Sequence, residues 1–86
     1  MATDIITIRF FARFREELDT EQLTLTARPG LTVGHLLEEL ASRGGAWAKL
    51  QGDQPVMTAV NQAMAKPTTL IKGGDEVAFF PPVTGG

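Results

Sequence analysis

Eighty-six residues suffice for one domain with one modest hydrophobic core and leave no room for a second. With 43% hydrophobic and 21% charged side chains the chain is too apolar to be disordered, and a net charge of −2 with scattered basic residues argues against nucleic acid or an anionic membrane as partner. Cysteine is absent and histidine occurs once, at His35, which excludes a disulfide framework, a cysteine metal site and any site built on two histidines.

The opening MATDIITIRFF carries Asp4 and no basic residue before its apolar run, so it does not read as a signal peptide. No apolar stretch nears the ~20 residues of a membrane span, and a soluble cytoplasmic protein is the expectation. In IITIRFF (5–11), Ile6, Ile8 and Phe10 share one parity while Thr7 and Arg9 share the other, predicting a strand with one buried face. The polar RFREELDTEQ turns the chain, and QLTLTA (22–27) resumes the alternation through Leu23 and Leu25, completing a hairpin.

Pro29 and Gly30 break that strand. Thr32 then caps a helix whose Val33, Leu36, Leu37, Leu40 and Ala41 form a single apolar stripe, with Gly44-Gly45 as its stop. AWAKLQGDQ is a helical turn or loop in which Trp47 and Leu50 are satellite core. VMTAVNQ (56–62) predicts a third strand, and a Gly73-Gly74-Asp75 turn leads to a last one from Glu76 to Phe80. The order implies an α+β fold, a small mixed sheet crossed by one main helix. The five phenylalanines fall only in the first strand region (Phe10, Phe11, Phe14) or the last (Phe79, Phe80), so these strands are expected to lie side by side, parallel, in the middle of the sheet.

Enzyme motifs fail. The glycine pairs lack phosphate-loop or dinucleotide-fold spacing, one histidine gives no triad, and the adjacent pairs Glu16-Glu17 and Glu38-Glu39 diverge on a helix or strand. The C-terminus is different. From Val77 to Gly86 no side chain is charged. Pro81 and Pro82 cannot continue a sheet ladder, so the last strand ends near Phe80 and residues 81–86 leave the body as a protruding tail. Val83, Thr84 and Gly85 make a thin thread, and at Gly86 the ionised group is the terminal carboxylate. Converted to an acyl adenylate, that carboxylate becomes open to nucleophiles, and a branched last residue would hinder the attack. Parity also sends Phe11 and Phe80 to the outer face of the sheet beside the tail root, with Met64 as a further member of an apolar partner surface.

GDEVAFFPPVTGG (74–86), with FFARFRE (10–16), AVNQ (59–62) and Trp47 after the helix, resembles the family of small, sulfur-carrier subunits of molybdopterin synthase. The resemblance spans essentially the whole chain and implies a single β-grasp, ubiquitin-like domain over 1–86. It further implies that Gly86 is adenylated by a ubiquitin-activating-like adenylyltransferase using ATP and magnesium. A thiocarboxylate then forms with sulfur from a cysteine-derived persulfide, an indirect donor. The tail inserts into the large synthase subunit within a heterotetramer, and sulfur passes to cyclic pyranopterin monophosphate, two carriers serving each product. On this reading the chain binds no cofactor or metal of its own and is a non-catalytic carrying subunit. A sulfur carrier for thiamine thiazole synthesis, a modifier conjugated to proteins through Gly86, and a structural module with an incidental tail are the rivals.

Overall fold

The computed structural model describes residues 4–52 and 55–82. The alternation in the first segment forms β1 (Ile5–Phe10), which buries Ile6, Ile8 and Phe10. β2 (Gln22–Thr26) pairs with it antiparallel, Ile8 opposite Leu23 and Ile6 opposite Leu25. The last strand, β5 (Glu76–Phe80), lies parallel to β1 with Val77 beside Ile8 and Phe79 beside Phe10. β3 (Met57–Val60) pairs antiparallel with the other side of β5, and the short β4 (Ala63–Met64) follows it at the edge. The order is β2-β1-β5-β3-β4, so the two phenylalanine-rich strands are neighbours within the five-stranded mixed sheet, as their composition predicts.

Helix α2 (Val33–Ala41) covers the inner face. Its Val33, Leu36 and Leu40 join the buried cluster formed by Ile6, Ile8, Phe10, Val77 and Phe79. The Thr32 hydroxyl accepts a hydrogen bond from the His35 backbone N–H at 3.2 Å, the expected N-cap. The backbone N–H of Gly34 donates to the Pro67 carbonyl at 2.9 Å, which straps the helix start to the 66–70 loop. A Cβ at Gly34 would stand 3.3 Å from that oxygen, so a glycine there permits the close approach. Gly44 and Gly45 take positive φ and lead into a 3-10 helix (Gly45–Gln51), where Leu50 is buried and Trp47 meets Phe10 edge-on at 5.5 Å. Phe10 in turn stacks on Phe79 at 6.0 Å. The satellite-core expectation for Trp47 and Leu50 holds.

Two elements differ from the sequence reading. The polar stretch after β1 is not a plain hairpin turn but contains α1 (Arg13–Leu18). Phe14 and Leu18 stand one helical turn apart and both bury, so a helix gives the core two side chains that an open turn would leave in water. Phe14 therefore belongs to a helix, not to the first strand. The stretch read as one strand over 56–62 stops at Val60. Asn61 and Gln62, both at positive φ, make a tight turn into β4, the backbone state that a two-residue hairpin demands. Asn61 is tied down: its Nδ2 donates to Asp75 Oδ1 at 2.9 Å and its Oδ1 accepts from the Glu76 N–H at 3.0 Å.

Between Phe11 and α1, Ala12 is held at φ 54° and ψ −132°, a conformation suited to glycine. Strain of this kind costs about 1–3 kcal/mol, against about 0.5–1 kcal/mol for the extra freedom glycine gains on unfolding. Ala12→Gly is thus expected to stabilise the chain by about 1 kcal/mol. A urea midpoint that stays level or falls would contradict this.

Candidate functional site

Strand alternation that buries one parity exposes the other. On the outer sheet face β1 contributes Thr7 and Arg9, and β5 contributes Glu76, Ala78 and Phe80. The β3 register sets Met57 beside Phe80 and Ala59 beside Ala78, and β4 adds Met64 next to Ala59. The buried side chains of both α-helices belong to the cluster on the opposite face, so among the described residues neither helix covers this largely apolar surface. Phe11 follows β1 directly, and its N–H donates to the Phe79 carbonyl at 3.1 Å, keeping the two chain segments abreast for one residue past the strand.

The three residues read as a partner surface are placed as follows. Phe11 is 37% exposed and Met64 62% exposed, while Phe80 is half-buried with Met57 as its cross-strand neighbour. Met57 and Ala59 are part of the same face and were not anticipated. VMTAV is apolar at both parities, so its pattern does not say which side chains point outward; the buried Thr58 between them is the residue that decides it.

Pro81 and Pro82 follow Phe80 at once and are half-buried, so β5 ends where the prolines require. The parallel β1–β5 pair thereby brings Phe11, Phe80 and the tail root to one end of the sheet. Val83, Thr84, Gly85 and Gly86 lie outside the described residues. At the other end, about 17 Å along the strands at ~3.3 Å per residue, Ile5 and Leu70 are exposed beside a shallow cleft of about 290 Å³ that takes in Arg28 and Lys72. That cleft is remote from the tail root.

Around the outer face the charges are few. Arg9 lies over the Phe11 ring, 5.2 Å from its centroid, and makes a 4.0 Å contact with Glu76. His35 is exposed on α2, and among the described residues its imidazole has no acidic or nucleophilic side chain bonded to it; its backbone N–H serves the Thr32 cap. Among the described residues no cluster of three or more His, Cys, Asp or Glu side chains is set to hold a metal ion, and no helix is long and apolar enough to cross a membrane. What the described residues offer is an apolar outer sheet face next to the point where Pro81 and Pro82 carry the chain off the last strand.

The family model described as the ThiS family matches residues 8–86. The molybdopterin synthase sulfur carrier subunit of Escherichia coli is 40% identical over 95% of this chain and 100% of its own length. Among solved structures, a putative molybdopterin converting factor subunit 1 from Pyrococcus furiosus superposes with a TM-score of 0.77 at 27% identity, covering 94% of this chain and 100% of that one. Small archaeal modifier protein 1 of Haloferax volcanii superposes with a TM-score of 0.74 at 25% identity, over 92% and 98%. The fold is thus the ubiquitin-like β-grasp.

Proposed function

The chain belongs to the ThiS family, among the molybdopterin synthase sulfur carrier subunits, and from that premise we propose that it carries sulfur as a thiocarboxylate on Gly86. The observation that supports this most is the parallel β1–β5 pair, which sets an apolar face and the root of a tail without charged side chains at one end of the molecule. The face docks the body on a partner, and the tail reaches that partner's reacting centre.

The chemistry follows from the chain end. A carboxylate is a poor electrophile because its carbonyl lacks a leaving group. An adenylyltransferase of the ubiquitin-activating type, using ATP and magnesium, joins AMP to the Gly86 carboxylate and releases pyrophosphate. The outer sulfur of a cysteine-derived persulfide then displaces AMP to give an acyl disulfide, and a second thiol cleaves its S–S bond, leaving the thiocarboxylate on Gly86 and a disulfide on the donor side. In the large subunit of molybdopterin synthase that sulfur passes to cyclic pyranopterin monophosphate, and two carriers supply the two sulfurs of the dithiolene, in keeping with a heterotetramer. Sulfur held on the chain end needs no cysteine in the chain, and there is none. A tail without charged side chains enters a closed pocket without the cost of burying a side-chain charge. Glycine at the last position keeps the carbonyl open to attack. The cytoplasm supplies the reducing, ATP-containing setting for this cycle.

Removing Gly86 tests the proposal in cells. A strain whose sole copy of the protein lacks that residue is expected to lose molybdopterin synthesis, and unchanged synthesis would sink the carrier reading. The likeness to a protein named as a modifier keeps a second reading in view, conjugation of Gly86 to lysine side chains of other proteins. Whole-protein adducts, not a sulfur-bearing chain end, would be its mark.

A further inference from the structure

Two arginines flank Phe11 at the tail-root end of the sheet. Arg9 and Arg13 stand two residues before and two residues after Phe11. Each guanidinium lies over a phenylalanine ring, Arg9 5.2 Å from the Phe11 centroid and Arg13 5.5 Å from that of Phe14. In each the Nε is sealed from solvent and has no hydrogen-bond partner among the described residues. Arg9 reaches Glu76 only at 4.0 Å, across a pair whose side chains remain 37% and 41% exposed. An exposed contact of that length is weak and does not occupy the guanidinium. Arg28 shows the contrast: its Nη1 donates to Glu39 Oε1 at 2.7 Å and serves the fold.

With Nε sealed, the donors open to a partner are the Nη1 and Nη2 groups at the tip of each guanidinium, whose shared plane lets them meet a carboxylate two-on-two. Stacking on a ring holds that plane in place before any partner arrives, so less side-chain freedom is lost on binding. Covering the neighbouring apolar face would also exclude water and strengthen the charge-assisted bonds at its border. The chain as a whole is acidic at −2, so this basic pair runs against the net charge.

We propose that Arg9 and Arg13 form a cationic rim to the docking face, and that the rim receives carboxylate side chains of the large subunit, which steer and orient the carrier as it docks. This rests on the docking role proposed above. Phe11 and its neighbours supply the apolar contact, and the arginines set approach and register.

The test is the association rate of the full-length chain with the purified large subunit over a range of sodium chloride concentrations. Wild type is compared with Arg9→Gln, Arg13→Gln, the double variant, Arg9→Lys and Phe11→Asp. Fluorescence of the single tryptophan, Trp47, against Phe10 reports that each variant is folded. The double neutral variant is expected to associate about tenfold more slowly at low salt and to lose most of its salt dependence. Arg9→Lys is expected to keep the salt dependence and bind more weakly, since it retains charge and loses the fork. Neutral variants that associate at the wild-type rate with wild-type salt dependence, while Phe11→Asp loses binding, would overturn the arginine rim and leave the docking face standing. A wild-type chain that does not bind, or Phe11→Asp binding normally, would overturn the docking reading and the rim with it. Where the double variant fails to fold, the single substitutions decide by the same criteria.

Discussion

Deletion of Gly86 is expected to lower sulfur transfer by at least about a hundredfold while leaving the fold untouched. The shortened chain still ends in a glycine, Gly85, with the same kind of carboxylate. Its chemistry is unchanged, but its reach is not. One residue of extended chain spans about 3.3–3.6 Å. Displacement of a reacting group by about 1 Å costs on the order of a hundredfold in rate, so a shortfall of a whole residue removes the carbonyl from the site of attack. The buried cluster is built from side chains between Ile6 and Phe79, and a glycine has no side chain to add to it, so the urea midpoint is expected to match wild type. The measurement is molybdopterin formed per carrier in a mixture of activating enzyme, sulfur donor, large subunit and precursor. Undiminished product would mean that the chain end is not the carrying group.

The second large effect concerns the face that docks the body. Phe11→Asp is expected to weaken binding to the large subunit by about a hundredfold or more. Aromatic anchors at the centre of an interface are worth about 2 kcal/mol or more, which is about thirtyfold, and an aspartate in the same place adds the cost of stripping water from a charge. The folded monomer has little to lose, since Phe11 is 37% exposed and outside the buried cluster. The substitution also takes away the ring under Arg9, an interaction worth about 0.5–1 kcal/mol at an exposed site. Binding by isothermal titration, with Trp47 fluorescence as the check on folding, separates the two effects. Undiminished binding by a folded variant would take Phe11 out of the interface.

The parts of the fold legible in the sequence are those where one local rule acts alone. Ile6, Ile8 and Phe10 alternate because one face of β1 is buried, and Thr32 followed by the stripe from Val33 to Ala41 announces α2 by its cap and by its period. The crowding of phenylalanine at the two ends even gave the parallel pairing of β1 with β5, because large side chains gather where the core is thickest. α1 was missed because its apolar signal is only Phe14 and Leu18, set among Arg13, Arg15, Glu16 and Glu17, and two side chains one turn apart do not make a stripe. β4 was missed because it is two residues long and depends on positive φ at Asn61 and Gln62, which Asn61 holds through Asp75 and Glu76 fourteen or more residues away. Such a clamp is a tertiary fact. The outer face was legible at Phe11, Phe80 and Met64 and illegible at Met57 and Ala59, where apolar side chains occupy both parities and only the register with β5 assigns them. The tail was read from its prolines and glycines, from the run without charged side chains and from the resemblance carried by residues 74–86. Pro81 and Pro82 end the sheet as expected, and the roles given to Val83 through Gly86 rest on their chemistry.

Sulfur held on Gly86 is the central claim, and the mass of the intact chain purified from its own cells tests it most directly. A population heavier than the unmodified chain by one oxygen-to-sulfur exchange, reverting to the unmodified mass after incubation with the large subunit and the pterin precursor, is the expected result. A chain found only unmodified, or joined through its end to other proteins, would contradict it.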